Sequence, residues 1–324
     1  MYLALYIALF LAGLVVIIKG ADWLTDGAAA IAHRLGVPTI VVGLTVVAVG
    51  SSMPEFVVSV MSAAKGQTGM AVGNVVGSNI FNILGILGIT ALVHPIAVSR
   101  GSVRNDVPFA VLSSLVGMIA VWNGVVERTD GLLMLCIFAV FMSYTLAIGG
   151  DTSSSDAPET PEDKPQGSAW KMIGLTLLGL AGLLLGGEML VEGGANAARI
   201  MGVPESLVAL TFISIGTSAP ELAASIMAVR KGDYGIALGN VVGSCVFNMF
   251  FVLGTAAAVC PLDQGGVTMV DFGVLLFSSV ILWIFCRFGD KQTYRINRIE
   301  GSVLILIAVA YYAWLIISPQ IQQQ

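Results

Sequence analysis

Apolar runs of about 20 residues recur along this chain, separated by short polar stretches. A helix needs about 20 apolar residues to cross the hydrocarbon core of a bilayer. The pattern predicts ten such spans, near 3–20, 38–63, 70–93, 107–123, 131–149, 172–190, 204–229, 235–258, 269–286 and 301–318. A transmembrane β-barrel would instead show short segments of alternating polarity. The opening run, MYLALYIALFLAGLVVIIKG, lacks a basic start and a small-residue cleavage pattern. It therefore reads as the first span and not as a signal peptide.

One segment interrupts the apolar character. Residues 151–171, DTSSSDAPETPEDKPQGSAWK, are rich in acid, Ser and Pro and read as a polar linker. It divides the chain into 1–150 and 172–324, each with five spans. The two parts are copies. Shifting the first by 166 residues lays LTVVAVGSSMPE (44–55) on LTFISIGTSAPE (210–221), and GNVVGSNIFN (73–82) on GNVVGSCVFN (239–248). Over 41–82 against 207–248, 21 of 42 positions are identical without a gap. The matched residues are Gly, Asn, Ser, Pro and Glu, which duplication explains and shared hydrophobicity does not. Because five is odd, the second copy must enter the membrane from the opposite face. The expected fold is an all-α integral membrane protein of ten transmembrane helices, two inverted five-helix repeats, with broken helices at the midplane.

Composition narrows the function. Only 11% of residues are charged and 56% are hydrophobic, with mean hydropathy +0.91, whereas soluble domains carry roughly 25% charged residues. The net charge of -5 and the lack of a basic patch exclude nucleic acid as a partner. Cys136, Cys245, Cys260 and Cys286 lie in or beside apolar runs, form no CxxC or Cys/His pattern, and read as small buried hydrophobes. Twelve Lys and Arg fall on one side of the ten spans and three, Lys65, Arg128 and Arg199, on the other. The first side is then cytoplasmic, both termini are outside, and the linker is inside. The expected place is the cell membrane.

Glu55 and Glu221 lie deep in apolar spans at matching depth. A charge there costs about 2.5–3.5 kcal/mol even on insertion scales. No Lys or Arg lies deep in any span, so protons or bound cations must neutralise the pair, unless two protonated carboxyls merely bridge helices. Gly50-Ser51-Ser52-Met53-Pro54 and Gly216-Thr217-Ser218-Ala219-Pro220 precede the two glutamates. Pro54 and Pro220 cannot donate helical hydrogen bonds, so each helix breaks there and offers oxygen ligands suited to hard cations. No His or Cys stands beside either Glu, which disfavours soft metals. Gly73, Gly77, Gly239 and Gly243 allow close helix packing. Asn74, Ser78 and Asn82 step by four along one helix face, as do Asn240, Ser244 and Asn248, and suggest a polar ion path. Asp22, Asp26, Glu188 and Glu192 read as solvated helix ends.

GSSMPE with GNVVGSNIFN, and GTSAPE with GNVVGSCVFN, resemble the two α-repeats of the calcium/cation antiporter superfamily, and among its members the prokaryotic sodium/calcium exchangers. The resemblance covers nearly the whole chain. It implies a Ca²⁺ site at Glu55, Glu221, Ser51 and Thr217. It implies flanking sites for Na⁺, the coupling ion, at Ala48, Ser52 and Ser78 and at Ser214, Ser218 and Ser244, with Asn82 and Asn248 completing the middle. Asn74, Asn240, Pro54 and Pro220 would support them. Several sodium exchangers carry Asp where this chain has Asn248, which leaves the coupling ion and stoichiometry open. The expected function is Ca²⁺/Na⁺ antiport by alternating access, with no enzymatic chemistry and no cofactor beyond the transported ions. The alternatives are exchange coupled to H⁺ or dependent on K⁺ and, further off, a cation channel. The partners implied are inorganic cations and the lipid bilayer, with no protein partner.

Overall fold

The computed structural model describes residues 2–151, 168–202, 214–288 and 294–317. These residues are overwhelmingly helical, in the order α1 (Tyr2–Leu35), α2 (Thr39–Ser51), α3 (Met53–Ala64), α4 (Thr68–Val93), α5 (Ser102–Ala120) and α6 (Arg128–Asp151). Then follow α7 (Ala169–Ile200), α8 (Ser214–Thr217), α9 (Ala219–Lys231), α10 (Tyr234–Val259), α11 (Met269–Phe288) and α12 (Arg298–Ile317). Among the described residues, eight helices are long and apolar enough to cross a membrane, and α2 with α3, bent by 49° at one break, make a ninth candidate. The seventh expected span, 204–229, lies partly outside the described residues, as does most of the expected linker.

The bend falls where the sequence places it. Ser52 leaves the helical region at φ -86° and ψ 11°, and Ser218 does the same at φ -92° and ψ 6°. Pro54 and Pro220 occupy the first turn of α3 and α9, where a missing N–H costs nothing. Both helices end in a turn through a repeat-related glycine at positive φ, Gly66 at 75° and Gly232 at 84°, a conformation that an L side chain would resist. α4 and α10 widen to π-helix at Phe81–Ile86 and Phe247–Val252, beside the motif asparagines. Such widening often accompanies functional sites.

α4 and α10 form the buried centre of the molecule. α2 packs along α10, and α3 packs on α4. The α2–α10 contact is backbone to backbone. A Cβ on Gly239 would stand 2.7 Å from the Ile40 carbonyl, and one on Gly243 2.7 Å from that of Leu44. This is the close packing expected of those glycines. For Gly73 and Gly77 the repeat-related partner segment lies largely outside the described residues. The remaining long helices expose apolar faces, with Leu11, Leu132, Leu177 and Leu306 among the exposed residues, as lipid-facing helices do. Cys136 lies on such a face and is exposed, against the expectation of burial; Cys245 and Cys286 are buried and Cys260 is intermediate.

Two short antiparallel ladders tie the halves together. Ile96 and Ala97 pair with Ile296 and Arg295, and Val125 and Val126 pair with Asp263 and Leu262. Each joins a connection in the first half to one in the second.

α1 and α7 run well beyond the expected first and sixth spans, 3–20 and 172–190, to Leu35 and Ile200. Asp22 and Asp26 therefore sit inside a continuous helix and not at a solvated helix end. The reason lies across the interface: the Lys231 ammonium bonds both carboxylates. α1 and α7 are antiparallel and meet through small residues. Gly13 lies against Gly186 and Leu190, Gly20 against Gly179 and Leu183, and Gly27 against Met172 and Thr176. A Cβ on Gly20 would stand 2.8 Å from the Leu183 nitrogen and 2.9 Å from the Gly179 carbonyl. Overpacking of this kind typically costs about 1–3 kcal/mol. Gly20→Ala is therefore expected to lower the thermal unfolding temperature in detergent by a few degrees. Gly174→Ala, with nothing within 4 Å of its Cβ, should leave it unchanged or raise it. An equal response of the two variants would contradict the packing.

Candidate functional site

Glu55 and Glu221 each stand in the first turn of the helix that follows a break. Both are buried, at 1% and 0% exposure. Each carboxylate is bonded by a hydroxyl from the other half: Ser52 Oγ donates to Glu221 Oε1 at 2.8 Å, and Ser218 Oγ donates to Glu55 Oε1 at 3.2 Å. These charge-assisted bonds draw the two breaks together. Ser52 Oγ also meets Ser244 Oγ at 2.9 Å, and Ser51 Oγ donates to Asn240 Oδ1 at 3.0 Å. Among the described residues, neither glutamate has an ion-pair partner.

The support around each glutamate is duplicated. Asn74 Nδ2 donates to the Glu55 carbonyl at 3.2 Å and to Ser59 Oγ at 2.9 Å. Asn240 Nδ2 donates to the Glu221 carbonyl at 3.1 Å and to Ser225 Oγ at 2.9 Å. Both asparagines thus fasten the break-bearing helix to its inner neighbour. Their amide nitrogens are spent on backbone and serine within each half.

Four oxygens at this centre are left over. Glu55 Oε2, Glu221 Oε2, Asn82 Oδ1 and Asn248 Oδ1 are buried and have no hydrogen-bond partner, the only others among the described residues being Thr90 Oγ1. An unpartnered buried oxygen costs about 1–3 kcal/mol, and more for a charged group. All four are acceptors, the two carboxyl oxygens carrying full negative charge when the glutamates are ionised. A hard cation, which takes several oxygen ligands at once, is one partner that such a set of acceptors can hold.

Other expected site residues fall nearby in the chain. Ala48, Ser52, Ser78, Ser218 and Ser244 are all buried, and Pro220 with them. Pro54 is half-buried. Thr217 ends α8 and is half-buried. Ser214 begins α8, and its side chain lies outside the described set.

Three residues were not singled out from the sequence. Ser59 and Ser225 match under the 166-residue shift, so the same alignment carries the signal for them. Asn79 carries none, because its repeat-related position is Cys245. Asn79 is fully buried and joins the two inner helices. Its Nδ2 donates to the Cys245 carbonyl at 3.1 Å, and its Oδ1 accepts from Asn248 Nδ2 at 3.2 Å. That second bond fixes the amide of Asn248 and leaves its Oδ1 as the unpartnered atom.

Comparison with known proteins fits this geometry. The family model described as sodium/calcium exchanger protein matches residues 5–147 and 171–317. The chain is 37% identical over 306 residues to the putative antiporter CaxA of Alkalimonas amylolytica, covering 93% of this chain and 95% of that protein. It is 30% identical over 343 residues to the sodium/calcium exchanger MaX1 of Methanosarcina acetivorans, covering 94% and 96%. A solved structure of the sodium-calcium exchanger NCX_Mj, soaked with 2.5 mM Na⁺ and 0.1 mM Ca²⁺, superposes with a TM-score of 0.83 at 28% identity, covering 95% of this chain and 98% of that one. A broken-helix carboxylate pair in an apolar helical fold, matched along nearly its whole length, places this membrane protein in the sodium/calcium exchanger family of prokaryotic calcium/cation antiporters.

Proposed function

We propose that the protein is a secondary antiporter that exchanges Ca²⁺ for Na⁺ across the membrane by alternating access. The observation that carries this reading is the set of four buried, unpartnered oxygens on Glu55, Glu221, Asn82 and Asn248. Two carboxylates match the charge of one Ca²⁺. In this reading Glu55 and Glu221 hold Ca²⁺ together with Ser51 and Thr217. Ala48, Ser52 and Ser78 on one side, and Ser214, Ser218 and Ser244 on the other, form flanking Na⁺ sites. Asn82 and Asn248 lie between them. The names of the relatives and of the solved structure, all antiporters or sodium/calcium exchangers, support the reading.

The fold is read as ten transmembrane helices in two inverted repeats, 1–150 and 172–324, joined by a cytoplasmic linker at 151–171. Three features support this. The family model matches two separate stretches of similar length. The breaks, the π-helical turns and the asparagine bonds recur in both halves. α1 and α7 pack antiparallel, as an inverted pair would. Cysteines introduced between Asp151 and Ser168 are then expected to resist impermeant thiol reagents in intact cells, and labelling from outside would reverse the topology.

Glu55→Gln and Glu221→Gln are each expected to abolish Ca²⁺ transport while the protein still inserts and purifies as a single species. The amide keeps the shape but loses the charge that replaces the hydration of a divalent ion. The measurement is ⁴⁵Ca²⁺ flux into vesicles under Na⁺, K⁺ or H⁺ gradients imposed separately. Normal uptake by either variant would remove the site assignment.

A second reading, Ca²⁺/H⁺ exchange, draws on the asparagines. With Asn at both 82 and 248, the two carboxylates balance two protons as well as two Na⁺. A surplus charge near the midplane costs a few kcal/mol unless dipoles screen it. Flux driven by a pH gradient and indifferent to Na⁺ would favour the proton. Asn248→Asp adds a third carboxylate and is expected to steepen the Na⁺ dependence of exchange at high pH. An unchanged Hill slope would contradict the charge argument.

A further inference from the structure

The acidic pairs that read as helix ends belong to a larger arrangement. The 166-residue shift that relates the halves lays Asp22 on Glu188, Asp26 on Glu192 and Lys65 on Lys231. In the first of the two sets this makes, the charges meet. Lys231 Nζ pairs with the carboxylates of Asp22 and Asp26, at 2.8 Å for Asp26, and donates to the Asp22 carbonyl at 2.8 Å. One ammonium therefore spends all three donors on α1. In the second set they do not meet. Among the described residues, the side chains of Lys65, Glu188 and Glu192 make no ion pair or hydrogen bond. Packing follows the same asymmetry: α1 lies along α9, whereas α7 has no comparable contact with α3.

The two acidic sets lie on opposite sides of the middle of the α1–α7 pair. Leu24 of α1 is level with Gly179, and Phe10 is level with Gly193. The acids at 22 and 26 are thus separated along the axis from those at 188 and 192 by about 16 Å, centre to centre. Both acidic sets ride on one tightly packed unit, since α1 and α7 meet backbone to backbone. Both lysines ride on the helices that bear the motif glutamates. Lys231 ends α9, which carries Glu221 in its first turn, and Lys65 directly follows α3, which carries Glu55.

We propose that Lys231 with Asp22 and Asp26, and Lys65 with Glu188 and Glu192, are two repeat-related ion-pair latches that close in alternation at opposite ends of the protein. The proposal rests on the alternating-access reading above. Each latch holds the α1–α7 unit against the far end of a glutamate-bearing helix and so ties that end to the ion site. The structure holds the Lys231 latch closed and the Lys65 latch open. Partly exposed ion pairs are weak enough to break and reform in each cycle. Asp233, two residues beyond Lys231, does not take the lysine. Burial pushes its carboxyl above the ordinary range, opposed by the nearby charges of His33 and Lys231.

The test uses distances, which report the latches whatever ion is carried. Spin labels at Leu35 and Arg230 read the Lys231 end, and labels at the repeat-related Met201 and Ala64 read the other; all four positions are exposed. Cys136→Ala and Cys260→Ala remove the accessible native thiols. In nanodiscs, Lys231→Gln is expected to lower the ratio of short to long Leu35–Arg230 distances about two- to fivefold, the size that partly exposed pairs support. It should shorten the Met201–Ala64 distance in the same sample. Adding Lys65→Gln to that background should reverse both changes. Lys231→Asp combined with Asp22→Lys and Asp26→Lys should restore the short Leu35–Arg230 distance. Unchanged distances in Lys231→Gln, or no reversal by Lys65→Gln, would overturn the latches even if Ca²⁺ flux is coupled normally. Distances that respond as stated in a protein without Na⁺-coupled Ca²⁺ flux would uphold the latches and remove the ion assignment instead.

Discussion

Two carboxylates buried in an apolar helical protein, with no ion-pair partner among the described residues, are the constraint around which the rest is arranged. Leaving an ionised carboxyl out of water is affordable only with dense compensation. Part of it is built in: each glutamate accepts a hydroxyl hydrogen bond from the opposite half, from Ser218 for Glu55 and from Ser52 for Glu221. The rest is withheld, since one oxygen of each carboxylate and one of each flanking asparagine has no partner. A site meant for permanent stability would have filled those positions with donors. One that must take up and release a charge benefits from leaving them open.

The helices serve this arrangement. A straight helix would carry Glu55 past the centre with its backbone closed to any ligand. The break at Ser52 redirects the chain by 49° and places the glutamate at a helix start, where the dipole favours negative charge. Asn74 and Asn240 then pin the carbonyls of the two glutamates to the inner helices. The glycines of α10 let α2 approach at backbone distance. The outer helices contribute apolar surface and, through α1 and α7, a unit whose glycine contacts leave few side chains to interlock.

Symmetry in such a molecule is a property of the sequence that the folded chain need not obey. The asparagine–serine bonds are nearly the same in both halves, within about 0.1 Å at each contact. The lysine–acid sets are not, although their residues match as well. The difference is one of depth. Buried bonds are costly to break and so are kept in both halves, whereas partly exposed ion pairs are cheap to exchange. A repeat protein that must be asymmetric at any instant can place its asymmetry where the cost is small.

The sequence by itself determined the helical class, the run of spans, the internal duplication, the breaks before Glu55 and Glu221, and the residue types at the centre. These are local or periodic properties: a span needs about 20 apolar residues, a proline within an apolar run breaks the helix before it and starts the next, and a repeat found at a shift of 166 residues needs no coordinates. What only the tertiary structure decided is who meets whom across the halves. Nothing in the chain order says that Ser52 serves Glu221 and not Glu55, that Asn79 fixes the amide of Asn248, or that Lys231 reaches back to Asp22 and Asp26. Those pairings join residues 169 to 209 positions apart. They depend on how the helices pack, and a linear pattern carries depth and face along one helix but not its neighbour's identity.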